Sequence, residues 1–305
     1  MAEVVTIGET MVAMRAEGLL RLGTTLRASI AGAESTVAIG LSRLGHSTRW
    51  ASRVGRDEPG ELVLRTLRAE GVDVSTVEYE EVPTGLILFE QRLPDVTRVQ
   101  YYRANSAGSR LTAADVDAAL TGEPRLVHVT GITPALGEGP RAAVEAAIDR
   151  AGNLGATVSL DVNFRSRLWS AGRAAEVLTP LAREAGVVIG SEEELDLVGG
   201  VEGLLASGVG EVVIKQGAEG ASARTAGGSW SAPGHRVAVV DSVGAGDAFT
   251  SGYLSALLEG LAVPERLARG NACGAFAVAT SGDWEGLPTR AELGLLTMTE
   301  GVALR

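Results

Sequence analysis

The chain has 305 residues, 45% of them hydrophobic, and a formal net charge of −11. This is enough apolar material for one large or two small packed domains, and too much for a disordered chain. The acidic balance excludes a surface built for nucleic acid or an anionic membrane, since both need a basic face, and the single cysteine, Cys273, excludes an internal disulfide and a cysteine-based zinc site.

The N-terminal stretch "MAEVVTIGET" has no basic segment ahead of an apolar one, and no apolar run approaches a membrane span, so a soluble cytoplasmic protein is expected. "EVVTIGE" (3–9) reads as a strand, followed by the helical pattern "TVAIGLSRLG" (36–45). "TRWASRVG" (48–55) reads as a second strand and "PGELVLRTLRAEG" (59–71) as a second helix. The region 76–105 differs: it has strand character and no helix, and it reads as a β excursion joined by the segment around 14–31. At the edge of an α/β sheet, such an excursion suggests a lid. "TAAD" (112–115) fits a capping box, "RLVHVTGI" (125–132) a strand and "PRAAVEAAIDRAG" (140–152) a helix. "ATVSLDVN" (156–163) and "GVVIG" (186–190) follow as strands, then the capping box "SEEE" (191–194) opening the helix 192–200, then the strand "EVVIK" (211–215). Gly45, Gly71 and Gly152 fall where the residue after a helix is expected to be glycine. Near-continuous apolar strands alternating with helices predict a three-layer α/β fold around a mostly parallel sheet.

Chemistry concentrates in four stretches. In "SLDVNFRSRLW" (159–169), period two places Asp161, Asn163 and Arg165 together at the carboxyl end of a buried strand, where open α/β sheets bind ligands. A capped strand end with a surface ion pair would look the same. In "VQYYRAN" (99–105), Tyr101 and Arg103 share a face, which an exposed edge strand also permits. "KQGAEG" (215–220) reads as a plain hairpin turn after a strand, with a ligand-lining turn as the alternative. "DSVGAGDAFTSGYLSALLEG" (241–260) sets a glycine-rich turn before an apolar helix, a cradle for an anion, with the carboxylate of Asp247 directly after it. A helix cap is the plainer role for Asp247. No P-loop, dinucleotide fingerprint, H-E-x-x-H or G-x-S-x-G motif occurs, and His46, His128 and His235 form no ligand-spaced pair, so each is read as structural.

Together these residues resemble the ribokinase-like (PfkB) family of carbohydrate kinases. "DSVGAGDAFTSGYL" matches that family's C-terminal signature throughout, and "AGAESTVAIGLSRLG" with "VG" at 54–55 keeps the glycines and spacing of its N-terminal one. Within the family the likeness runs to the kinases of 2-keto-3-deoxygluconate, through "GAE" (32–34), "YYRANSAGS" (101–109), "HVTGITPAL" (128–136), "SLDVNFR" (159–165), "SEEEL" (191–195) and "GDWEG" (282–286). The resemblance covers essentially the whole chain. It implies a single ribokinase-like domain over 1–305 with a small β lid formed by about 14–31 and 76–105. It implies ATP-dependent phosphorylation of a sugar hydroxyl, with 2-keto-3-deoxygluconate as acceptor and a neutral sugar or nucleoside as the alternative. The implied cofactors are ATP and Mg2+, with a monovalent cation near Asp241 and Val243. Asp247 is implied as catalytic base, and the backbone of Gly244, Ala245 and Gly246 as the anion hole. Gly32, Tyr101, Arg103, Arg165 and Asp283 are implied to contact the sugar acid alongside Asp247. Asn163, Arg165, Ser191, Lys215, Gly217, Gly220, Gly244, Gly246 and Asn271 are implied to line the nucleotide. Thr36 stands where the family usually has asparagine, and Ile87 where such a kinase tends to carry tyrosine; both departures lie on the sugar side. In a chain this acidic, an anionic sugar needs arginines aimed at its carboxylate, which singles out Arg103 and Arg165. An exposed β lid offers edges for pairing, so a homo-oligomer is expected.

Overall fold

The structure, a computed structural model, describes residues 2–93 and 96–297. Along the chain the strands are β1 (Val4–Ile7), β2 (Met11–Ala16), β3 (Leu26–Ala31), β4 (Thr48–Ala51), β5 (Arg53–Gly55), β6 (Glu78–Glu80), β7 (Leu86–Leu93), β8 (Val96–Tyr102), β9 (Leu126–Thr130), β10 (Thr157–Asp161), β11 (Val187–Gly190), β12 (Glu211–Lys215), β13 (Ala221–Thr225) and β14 (Gly228–Ala232). The helices are α1 (Ala33–Arg43), α2 (Glu58–Ala69), α3 (Ala113–Ala119), α4 (Glu138–Asn153), α5 (Ala171–Glu184), α6 (Glu192–Leu197), α7 (Gly200–Ala206), α8 (Ala245–Leu258) and α9 (Val263–Val278).

The main sheet runs β14-β13-β12-β11-β10-β9-β1-β4. It is parallel from β12 to β4, while β13 and β14 are antiparallel at one edge. The two-residue period of a strand sorts its apolar side chains onto two faces. Val5, Val127, Val129, Val158, Leu160, Val188 and Val212 pack against α3 to α7. Val4, Leu126, Val187, Ile189 and Val213 pack against α1, α8 and α9. Both faces are covered, so the strands read as almost continuous apolar runs. Burying a Val, Leu or Ile fully contributes about 1.5–3 kcal/mol, so these two layers dominate the stability. The expected three-layer α/β architecture is the one observed.

A second sheet runs β3-β2-β7-β8, with β2 and β7 parallel and the outer pairs antiparallel. One face carries Met11, Ala13, Ile87 and Phe89, with Val99 and Tyr101 beside them. The other places Val12, Ile30, Met14 and Leu86 in a cluster with Val63 and Leu64 of α2 and Trp50 of β4. Some expected boundaries move. The stretch 48–55 is two strands, because β5 leaves the main sheet and pairs with β6, so Glu78–Glu80 belongs to a separate two-stranded sheet. The extended region 76–105 therefore contributes only β7 and β8 to the small sheet. Its other half begins at Met11, ahead of the expected 14. Gly45 and Gly71 adopt the left-handed conformation after their helices, but α4 runs through Gly152, and Gly155 takes that role instead. Both capping boxes form, at Thr112/Asp115 and Ser191/Glu194.

Helices α8 and α9 pack unusually close. A Cβ at Gly252 would lie 2.7 Å from both the Arg269 carbonyl oxygen and Cys273 Sγ. Gly252→Ala is expected to push the two helices apart and cost about 1–3 kcal/mol, measured by urea denaturation; unchanged stability would mean that the contact is not tight.

Candidate active site

The site grows from the carboxyl ends of the parallel strands. Asp161, the last residue of β10, is 1% exposed and receives Lys215 Nζ from the end of β12 at 2.7 and 2.9 Å. Thr250 Oγ1 of α8 donates to the same carboxylate at 3.1 Å. Burial works against the Lys215 charge, but Asp161, Glu194 and Asp247 together outweigh it and hold the ammonium above its usual pKa. The chain then leaves β10 through Asn163, whose φ of 41° is left-handed and rare for a residue with a Cβ. That kink is anchored by Val162 N donating to the Ile189 carbonyl at 2.8 Å and Phe164 N donating to Glu194 Oε1 at 2.8 Å. The kink also ends the expected two-residue period, so Asn163 and Arg165 lie beyond the strand.

Opposite this kink is the turn that opens α8. Asp241 Oδ1 accepts from Val243 N at 3.1 Å and shapes the turn. Gly244 is the N-cap with φ 76°, and a Cβ there would run into the Asp283 carbonyl oxygen, so only glycine fits. The first N–H groups of a helix have no intrahelical acceptors, and together with the helix dipole they make an anion site. Asp247 sits in the first turn of α8, and Asn163 Nδ2 donates to its Oδ1 at 3.2 Å. Protein surrounds this carboxyl closely enough that loss of water raises its pKa to about 6. Asp161 adds to the rise, while Lys215, Arg165 and the Asn163 hydrogen bond oppose it. Asp283 is pushed up to about 7, first by burial, with Arg15 opposing and Asp247 and Glu285 adding to the rise.

Two cavities meet at this turn, sharing Ser242, Gly246 and Lys215. The first, about 660 Å³, lies under the small sheet and is lined by Gly32, Tyr101, Arg103, Asn163, Arg165, Gly244, Asp247 and Asp283 among others. The second, about 670 Å³, runs between the β12–β13 turn and α8–α9 and is lined by Gly217, Gly220, Ala245 and Asn271. The "KQGAEG" segment is both things its sequence allowed, a hairpin turn and a cavity wall. Asn163 and Arg165 open on the first cavity and not the second. Ser191 lines neither; it is the N-cap of α6, accepting from Glu194 N at 3.2 Å. His235, read as structural, lines the second cavity. Ile87 is in the apolar wall of the first, but Thr36 is buried in α1 away from both. Asp241 faces no cavity either, since its Oδ2 takes Arg15 Nη1 at 2.9 Å and Gly282 N at 3.3 Å.

Two cavities of similar volume, joined at an anion turn that carries a carboxylate, agree with the comparisons. The model of the pfkB family carbohydrate kinases matches residues 1–290. The chain belongs to the pfkB family of carbohydrate kinases. It is 40% identical to a 2-dehydro-3-deoxygluconokinase of Bacillus subtilis over 95% of this chain and 94% of that one. It is 33% identical to a 2-dehydro-3-deoxygalactonokinase of Haloferax volcanii, over 92% of each. Among solved structures, a protein of Escherichia coli in complex with ATP and Mg2+ superposes with a TM-score of 0.89 at 25% identity, covering 97% of this chain and 99% of that one.

Several polar residues in and around this carbohydrate kinase's cavities were given no role from the sequence. Glu9, buried beside β2, accepts from Arg103 Nε at 2.7 Å and also binds Arg103 Nη2 and Ser106 Oγ. It fixes the guanidinium, which also lies 5.7 Å from the Tyr101 ring, and cancels much of its charge. Arg167 lines the first cavity and donates to the Val99 carbonyl at 2.6 Å, joining the 162–168 loop to the small sheet. Glu34, fully buried in α1, accepts from Thr130 and Thr133 at 2.7 Å each, and burial raises it to about 7. In the Asp161–Lys215 pair the carboxylate is the enclosed partner, with 1% of its side chain exposed. Lys215→Met would strand a buried carboxylate, and the kinase is expected to lose about 3–5 kcal/mol in urea denaturation. A loss below about 1 kcal/mol, the range of an exposed pair, would show that the bridge is solvated.

Proposed function

We propose that this kinase transfers the γ-phosphoryl group of ATP to the terminal hydroxyl of a 2-keto-3-deoxy sugar acid, with 2-keto-3-deoxygluconate as the acceptor and its 6-phosphate as product. The observation that carries the reading is the junction of the two cavities at the N-terminus of α8, with Asp247 on the sugar side of it. In this reaction Asp247 takes the hydroxyl proton as the oxygen attacks phosphorus, the new O–P bond forms, the bond to the β–γ bridging oxygen breaks, and ADP leaves. A general base of this kind contributes about 10²–10⁴ in rate. The turn of Gly244, Ala245 and Gly246 receives the charge that builds on the phosphoryl oxygens. Lys215, at the seam of the cavities, faces the same charge.

Among the described residues no group of three or more His, Cys, Asp or Glu could hold a metal ion by itself. That donor set suits a Mg2+ carried by the triphosphate, which needs only one or two protein carboxylates. Glu194, Asp247 and Asp283 are the carboxylates that line the first cavity, and Glu194 would hold the ion, which leaves Asp247 free as the base. When bound, the ion neutralises phosphate charge.

The preference for a sugar acid rests on charge. Arg165 and Arg167 line the first cavity and have no carboxylate partner among the described residues, and Arg103 is held rigid by Glu9 with Nη1 left over. A neutral sugar would leave Arg165 and Arg167 without an ion-pair partner. The relatives named for 2-dehydro-3-deoxy sugar acids support the same class. The small sheet over this cavity is proposed as its lid. Its edge strands β3 and β8 carry exposed Leu26, Val96 and Tyr102, which favours pairing between copies of the chain. Among the described residues no helix is long and apolar enough to cross a membrane, and a cytoplasmic site of action is part of the proposal.

The test is kcat/KM for 2-keto-3-deoxygluconate, its galactonate epimer, ribose and fructose. The sugar acids are expected to lead. Losing a charge-assisted hydrogen bond costs about 1.5–3 kcal/mol, so Arg167→Ala, which strands no carboxylate, should lower kcat/KM for the acids about tenfold or more and leave neutral sugars almost unchanged. A wild-type preference for ribose or fructose, or equal losses for both classes, would overturn the sugar-acid assignment.

A further inference from the structure

The small sheet and the phosphate turn are joined by one side chain. Arg15 has the same parity on β2 as Met11 and Ala13, so it leaves the sheet on the cavity-facing side. Its guanidinium crosses to the α/β body, where Nη1 donates to Asp241 Oδ2 at 2.9 Å and Nη2 to Asp283 Oδ1 at 2.8 Å. Phe89 of β7 covers it, with the guanidinium carbon 4.2 Å from the ring centre. All three charged side chains are less than one-fifth exposed, so the pairs are poorly screened.

The two carboxylates belong to the two segments that build the anion turn. Asp241 starts it, through the Val243 N–H, and also holds Gly282 N. Asp283 backs it, because its carbonyl closes the space behind Gly244. Without a cation between them, Asp241 and Asp283 would face each other near Asp247 and Glu285. Two carboxylates at that range in a buried site could not both stay ionised, so one would take up a proton or the segments would part, and either change would loosen the turn.

We infer that Arg15 is a positioning residue for phosphoryl transfer: by clamping Asp241 and Asp283 it sets the anion turn and offsets its acidic backing, so that the sheet over the sugar cavity directly supports the phosphate site. This rests on the turn at 242–246 receiving the transferred phosphoryl group. Arg15 itself lines neither cavity and touches no substrate in this account.

The experiment measures kcat and KM for ATP in wild type, Arg15→Ala and Arg15→Lys, on whichever sugar the wild type accepts, with and without added guanidinium ion. Because any accepted sugar serves, failure of the sugar-acid assignment does not affect this test. Arg15→Ala is expected to lose at least about tenfold in kcat/KM for ATP. Guanidinium at tens of millimolar should recover several-fold of that loss in the variant alone, since it restores a planar two-carboxylate bridge. Arg15→Lys, a point charge without the fork, should fall between. A folded Arg15→Ala with wild-type kcat/KM for ATP would overturn the inference. So would a loss that neither guanidinium nor lysine relieves, which would indicate packing alone. If the alanine variant does not fold, Arg15→Lys decides: a several-fold loss in kcat/KM for ATP supports the clamp, and wild-type values overturn it.

Discussion

A carboxylate and a phosphoryl group can meet at one helix end only where the field around them is balanced. That constraint organises this protein. Around the start of α8 stand Asp247, Asp161, Asp241, Asp283 and Glu194, in a chain whose net charge is already −11. The balance is local. Lys215 arrives from β12, Arg165 from the kink after β10 and Arg15 from the small sheet, and the α8 dipole adds its partial positive charge. Each cation comes from a different element, so the electrostatics of the site depend on the assembled fold.

The architecture follows from that need. Parallel strands bring their carboxyl ends to one rim, so Asp161 and Lys215, two strands apart in the sheet, can pair across it. Glycine at 244 lets the 283 segment close directly on the turn, while the small sheet roofs the first cavity. The first cavity is lined with arginines. The second is mainly backbone and apolar surface between the β12–β13 turn and α9. Asn271 there spends both amide hydrogens on the Ala232 and Pro233 carbonyls, at 2.9 and 3.0 Å, and so fixes the β14 end of that wall.

Much of this was legible in the sequence, for physical reasons. Strands buried on both faces read as apolar runs, and the Gly-Ala-Gly-Asp turn carries its own chemistry. Boundaries failed where tertiary pairing overrode local pattern. β5 departs from the main sheet because β6 offers it a parallel partner. The two-residue period stops at Asn163 because the backbone turns left-handed there. Arg15, Glu9 and Arg167 were not singled out, since each gains its role from a partner distant in sequence, 226 residues away for Arg15 and Asp241. Ser191, which the family likeness assigned to the nucleotide, forms with Glu194 the capping box that its local sequence predicted.

The central claim is that this balanced field leaves Asp247 as a carboxylate basic enough to accept the hydroxyl proton. It is tested most directly by following the aspartate carboxyl 13C resonances of the free enzyme with pH, assigning Asp247 by its absence in Asp247→Asn, beside the pH dependence of kcat/KM. A base works only when ionised, so the rate should rise with pH through the Asp247 midpoint, which burial places at about 6. Asp247→Asn should lose about 10² or more in kcat while ATP affinity changes little. An Asp247 resonance titrating at the ordinary aspartate value of about 4, or near-wild-type turnover in Asp247→Asn, would contradict the account.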